Sequence, residues 1–180
     1  MILDRKKQPE FGRIEDINLQ EPKVVHLDNG IPVLCIDAGT QNVLKVELVF
    51  EAGTAAADKI LVASTAVKTL TEGTAKHNAK EIAEAVDFYG AYLQNEINHD
   101  ESSICLYSLN KHLDKTLATL AEVYATPVYP QHELDTVLKK SQQEMLVNKE
   151  KVSYLGAKAF SCALYGKDHQ YGRSADIEDY

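Results

Sequence analysis

The sequence predicts an α+β fold built on an antiparallel sheet, and three observations carry that expectation. Residues 24–27 and 31–36 alternate, are rich in β-branched side chains, and flank Asp28-Asn29-Gly30. Asn-Gly is a hairpin signal because it accepts the positive φ of a tight turn. Residues 43–50 alternate again, setting Val43, Lys45, Glu47 and Val49 against Leu44, Val46, Leu48 and Phe50. Elsewhere apolar residues recur at helical period, in segments that close at Gly or Pro.

Taken in order, residues 1–22 are polar, contain Pro9 and Pro22, and are expected to form an arm or, as an alternative of equal standing, a disordered leader, ahead of a domain spanning 23–180. The hairpin follows. The alternating run 43–50 is expected to be a central strand, broken by Glu51-Ala52-Gly53-Thr54. In the stretch 60–74, Ile60, Ala63, Val67 and Leu70 form one apolar stripe, and Gly73 is placed to end the helix in a left-handed cap. Asn78 is the expected N-cap of the next helix, with Glu81 three residues on as its capping-box partner. Ile82, Ala85, Val86 and Tyr89 form its stripe, and Gly90 stops it. Residues 91–97 and 102–109 are two further strands. Asn110 is expected to cap a helix through about Ala125 that turns Leu113, Leu117, Leu120 and Val123 inward. Pro127-Val128-Tyr129-Pro130 is a rigid link. Two more helices are expected over 131–150, carrying Leu134, Val137, Leu138, Met145 and Leu146, and over 152–165.

At 180 residues the chain suits one domain with a sizeable core. A hydrophobic content of 44% with 26% charged residues is that of a globular protein. The net charge of −8 argues against a nucleic-acid surface. No apolar run is long enough to cross a membrane, and MILDRKKQPEF has no signal-peptide core, so a chain starting natively at Met1 is expected in the cytoplasm. Cys35, Cys105 and Cys162 are odd in number, far apart and set in apolar stretches, so buried reduced thiols are expected.

The order of these segments resembles the first half of the pitrilysin–insulinase–mitochondrial processing peptidase family of zinc peptidases. The carriers are LDNGIPV at 27–33, VLKVELVFEAGT at 43–54, ILVASTAVKTLTEGT at 60–74, FYGAYLQNEINHDESSICLYSL at 88–109 and YGKDHQYGR at 165–173. Active members carry an inverted H-x-x-E-H motif on a helix that ends in Gly-Thr. Aligning that ending with Gly73-Thr74 places the first His at Ser64, the catalytic Glu at Val67 and the second His at Lys68. Zinc is held by imidazole, thiolate or carboxylate. A serine hydroxyl is a poor substitute, an ammonium repels the cation, and valine cannot move a proton. The family's third ligand is a Glu on a later helix. Glu144, 76 positions after Lys68, falls in that slot and is the only retained candidate. Alone it makes no site, and it is expected to pair with Lys68 instead.

The resemblance implies helices packed mainly on one face of the sheet. It also implies that the domain continues beyond Tyr180. In active relatives a G-A-x-x-N-A strand forms a sheet edge and holds substrate as an added strand. Here the matching run ends in Tyr92, Gln94, Asn95, Glu96 and Ile97, with Asn95 at the family's Asn and Glu96 in place of a small residue. A charged edge is also how proteins block unwanted pairing. GKDHQYGR resembles the family's H-P-Y-G-R loop, with Gln170 in place of Pro.

Other constellations are weak. No two of the six histidines, His26, His77, His99, His112, His132 and His169, stand four apart. His99-Asp100-Glu101 suits a solvated turn. Tyr165, Tyr171 and Tyr180 are expected to pack with wet hydroxyls. Ser64 has no histidine at helical spacing to activate it.

The expectation is therefore a non-catalytic homologue of an insulinase-type zinc metallopeptidase, without catalytic residues, metal or cofactor of its own. It would help form a peptide-binding chamber with an active zinc-bearing sister subunit, as a heterodimer, or with the second half of a longer chain. Nucleic acid and membrane are not expected partners. The alternatives are a structural or assembly subunit with no peptide affinity and, more weakly, an active zinc endopeptidase using Glu144 with recruited histidines.

Overall fold

A computed structural model describes residues 19–180 together with positions 8, 12 and 17. Most of the expected 1–22 arm lies outside the described residues. The chain divides into two compact units, up to Gln41 and from Asn42 onward.

The first unit contains an antiparallel hairpin, β1 (Lys23–His26) and β2 (Pro32–Cys35), with Lys23 opposite Cys35 and His26 opposite Pro32. Its turn is closed by Leu27 N–H donating to Ile31 O at 2.9 Å and Gly30 N–H donating to Leu27 O at 2.8 Å. Gly30 alone takes positive φ, at 85°. Asn29 contributes differently from expectation: its Oδ1 accepts from Ile31 N–H at 3.1 Å, a side-chain substitute for a backbone turn bond.

The second unit runs β3 (Val43–Phe50), α1 (Val62–Lys68), α2 (Ala79–Asp87), β4 (Tyr92–Ile97), β5 (Ser102–Leu109), α3 (Leu113–Ala125), α4 (Gln131–Lys149) and α5 (Val152–Tyr165). Its sheet has the order β3-β5-β4, antiparallel throughout. The central strand is therefore β5, not β3 as the alternation suggested. Period-two alternation marks a strand wet on one face, and β3 alternates exposed and half-buried along its length. In β5, Ile104, Cys105 and Leu106 are all fully buried.

The core lies on one side of this sheet. Ile104 and Leu106 of β5 meet Ile82 and Val86 of α2 and Leu120 and Val123 of α3, with Val46, Leu48, Phe50 and Leu93 at the margin. Burying each such side chain contributes about 1.5–3 kcal/mol. The other face of the sheet carries Val43, Val49, Tyr92 and Tyr107, all exposed. A second tier forms where α4 packs on α1 and α5 on α4. The fold is α+β, as the sequence predicts. Among the described residues no helix is long and apolar enough to cross a membrane.

The α2 caps follow the sequence. Asn78 Oδ1 accepts from Glu81 N–H at 3.0 Å, Glu81 Oε2 accepts from Asn78 N–H at 2.9 Å, and Gly90 turns the chain at φ 62°. Four other expectations are corrected. The first helix stops at Lys68, and Gly73 instead bridges to Asn78. A Cβ there would meet Pro130 Cγ at 3.0 Å, so Gly73 answers a close approach rather than a left-handed cap. The start of α3 is a 3-10 turn at Asn110–His112 with no side-chain cap. Its inward stripe is Thr116, Leu120 and Val123; Leu117 is exposed, and Thr116 donates to Ser108 Oγ at 2.9 Å. Of the three cysteines only Cys105 is buried, because apolar neighbours in sequence do not ensure that an element turns them inward.

Candidate functional site

The residues singled out at the degenerate motif sit on α1, whose seven residues run between β4 and α4. Ser64 Oγ donates back to Leu61 O at 3.1 Å, so its hydroxyl is turned onto the backbone of its own helix. Val67 is half-buried. Its carbonyl accepts from Asn95 Nδ2 at 3.0 Å, and the same amide lies 3.4 Å from Thr71 Oγ1. Asn95 therefore ties β4 to α1 across 28 residues of chain. Asn95 Oδ1 is buried with no hydrogen-bond partner among the described residues.

Lys68 does not meet Glu144. Its Nζ donates to Ser141 Oγ at 2.9 Å, and Glu144 is exposed. The reason is helical phase. The covered stripe of α4 runs through Leu134, Val137, Leu138, Ser141 and Met145, the i, i+3, i+4 pattern of one helix face. Residue 144 sits at the margin of that stripe, beyond its centre at Ser141 and Met145, where its side chain is exposed and its charge reaches Tyr180. The Tyr180 hydroxyl is held above its ordinary value by burial and then by the Tyr154 and Glu144 charges.

These residues do not fit a zinc ion. A hydroxyl committed to a carbonyl, an aliphatic side chain and an ammonium offer no ligand set. Among the described residues no group of three His, Cys, Asp or Glu side chains could hold a metal.

The strand next to α1 is β4, which among the described residues pairs with β5 alone and so forms a sheet edge. An edge strand presents a row of unpaired backbone N–H and C=O groups. Of the residues marked in sequence, Asn95 lies on the helix-covered face, as does Ile97 by strand alternation. Tyr92, Gln94 and Glu96 lie on the opposite face, where Gln94 Nε2 donates to Glu96 Oε1 at 2.6 Å. Beside this edge a cavity of about 490 Å³ opens between α2 and the turn at Thr71-Glu72 that follows α1. Nothing in the sequence marked it, because its walls come from three separated segments.

The loop after α5 is docked rather than free. Arg173 Nη1 donates to Asp58 O at 2.9 Å, and Nη2 donates to Ala57 O. The Tyr171 hydroxyl donates to Asp100 Oδ1, and its ring lies 5.1 Å from His99. The 99–101 turn is thus clasped as well as solvated, through an exposed hydrogen bond from the Tyr171 hydroxyl. Hydrogen bonding to Asp100 pushes that hydroxyl's pKa up, with desolvation adding to it.

The same fold occurs in solved structures. A peptidase M16 inactive domain from Pseudomonas fluorescens superposes with TM-score 0.79 at 24% identity, over 87% of this chain and 38% of that one. This chain has the fold of that inactive peptidase domain. A protease from Helicobacter pylori superposes with TM-score 0.77 at 17% identity, over 90% of this chain and 40% of its own. The chain thus spans about two fifths of the length of either. No family model matches the sequence, and no curated protein sequence matches it significantly.

Proposed function

We propose that this chain is a non-catalytic peptidase homologue that holds an extended peptide on β4 beside an active partner. The partner would be a zinc-bearing sister subunit or the other part of a longer chain. The observation that carries this reading is the juxtaposition of a peptidase-like helix stripped of ligands at Ser64, Val67 and Lys68 with a strand edge at Tyr92–Ile97 that is unpaired among the described residues. Strand addition needs only backbone groups, so it survives the loss of a metal site. A partner surface is also available. On α5 the side chains of Val152, Leu155, Phe160 and Leu164 are exposed, while the half-buried stripe is Tyr154, Lys158 and Ser161. A helix that turns its apolar side outward suits a covering neighbour.

The scaffold alternative, with no peptide affinity, draws support from the Asn95 amide, which is occupied in holding α1, and from Glu96, whose charge guards the edge. Hydrogen exchange on the full chain separates the two. Titration with extended decapeptides should slow exchange of the Tyr92–Ile97 amides, with no metal bound at stoichiometry and no hydrolysis. Unchanged exchange with every peptide would leave the scaffold reading, and stoichiometric zinc with turnover would overturn both.

A further inference from the structure

We propose that the loop after α5 is a proton-operated clasp with His169 as its sensor. Neutral His169 holds the loop shut against the turns at Ala57–Asp58 and at Asp100, and uptake of a proton lets it go. The loop folds back on itself. The N–H groups of Gly172 and Arg173 both donate to His169 O at 2.9 Å, and a Cβ on Gly172 would overlap Gly166 O. Within the loop the Tyr171 N–H donates to His169 Nδ1 at 3.1 Å. A backbone N–H can only donate, so this bond requires an Nδ1 without a proton and sets the neutral ring in its Nε2–H tautomer. An imidazolium carries a proton on both nitrogens. It would set donor against donor and turn away from Tyr171. Tyr171 and Arg173 are the residues that reach the two turns, so opening this loop loosens both attachments.

His169 differs in this from its neighbour His99. The Nδ1 of His99 lies 3.2 Å from Thr54 Oγ1, a hydroxyl that donates or accepts as the ring demands, so that contact survives protonation. His169 is exposed, and a proton reaches it from solvent. Its ring stacks on Tyr165 of α5 at 5.5 Å and 20°, and a cation within about 6 Å of an aromatic face is attracted to it. The charged ring therefore keeps Tyr165 while giving up the Tyr171 N–H. The other groups around it are Tyr171, whose ring is 5.3 Å away, and His99 and Asp100, which meet Tyr171 from the turn before β5. Lys167, Asp168 and Arg173 lie on the loop itself. Among the described residues no carboxylate pairs with His169 to hold a charged ring in the closed loop. The closed loop thus binds one proton fewer than the open one, and closure weakens as pH falls through the imidazole range. The clasp acts whether or not β4 takes a peptide.

The test measures amide protection factors, which divide out the intrinsic effect of pH on exchange. They are read on the full chain at about pH 7.5 and about pH 5.5, towards either end of the imidazole range. Protection of Tyr171, Gly172 and Arg173 should fall about tenfold on acidification, as loss of one hydrogen bond implies. Ile104 and Leu106, buried in β5, should keep theirs. His169→Asn supplies a side-chain oxygen that accepts from the N–H two residues on and does not titrate, so its loop should stay shut at both pH values. His169→Arg, always charged and without an acceptor, should leave the loop open at both. His99→Gln should keep the pH step of the parent. Nitrogen NMR of the imidazoles at neutral pH should find His169 Nδ1 unprotonated. A step that persists in His169→Asn, a loop that stays shut in His169→Arg, a step lost with His99→Gln, or a protonated Nδ1 at neutral pH would each overturn the clasp.

Discussion

Gly53 sits where two turns press together. Its N–H donates to Asp100 O at 2.9 Å, and a Cβ built on it would lie 2.3 Å from His99 O. Its φ of −80° is ordinary, so the demand is for space alone. Ala at this position must push backbone against backbone. Gly53→Ala is expected to cost about 2 kcal/mol and to lower Tm by about 4–8 °C in a chain of this size, measured by calorimetry. In the sequence the same glycine was visible only as a strand breaker, since its neighbour in space is 46 positions away. Lys68 teaches the converse. That an ammonium replaces an imidazole was legible from the motif's spacing, but its partner was not. Choosing between Ser141 and Glu144 depends on the rotation of a helix packed from elsewhere in the chain.

At the scale of elements, α4 supplies the clearest case. The covered stripe that includes Ser141 and Met145 sets which side of the helix faces α1, and the hydrogen bond from Lys68 to Ser141 records it. A prediction follows for restored ligands. In a chain carrying Ser64→His, Val67→Glu and Lys68→His, adding Ser141→Glu should raise zinc affinity by tenfold or more in a chelator competition. Removing the native carboxylate by Glu144→Gln should leave it unchanged. The reverse ranking would mean that α4 turns on binding metal. The caps of α2 were readable because Asn78, Glu81 and Gly90 act on their own backbone. The buried stripe of α3 was not wholly readable. Thr116 displaces Leu117 inward because Ser108 on β5 offers its hydroxyl a partner, which removes the penalty of burying it.

Across the whole second unit, one buried-edge carboxylate joins segments distant in sequence. Glu122 on α3 accepts from the Thr74 hydroxyl and faces His77 Nδ1 at 2.8 Å. The Thr74 hydrogen bond, then that of His77, holds its carboxyl below the ordinary value of 4.5. A depressed carboxylate stabilises the fold fully above its unfolded value, and that stabilisation is lost as pH falls through the folded value. Glu122→Gln should therefore reduce stability by about 1 kcal/mol at neutral pH. The gap between variant and parent should narrow once pH falls below the ordinary value of 4.5 and close below the depressed folded value, read from urea midpoints across pH. A gap that widens in acid would contradict the assignment. Arg173 and Tyr171 act at the same scale, fastening the chain after α5 to the turns at Ala57–Asp58 and at Asp100.

The amino-acid sequence by itself determined the local chemistry of this protein: alternation for the strands, caps for α2, and the replacement of metal-binding side chains at Ser64, Val67 and Lys68. These depend on residues within a few positions of one another, where spacing is geometry. Only the tertiary structure decided that β5 rather than β3 is central, that Lys68 bonds to Ser141 rather than to Glu144, and that Asn95 binds the Val67 carbonyl. It alone opened a cavity beside β4. Each of those depends on how one packed element is rotated and ordered against another, and that choice is made by the summed burial of the whole core rather than by any single stretch of chain.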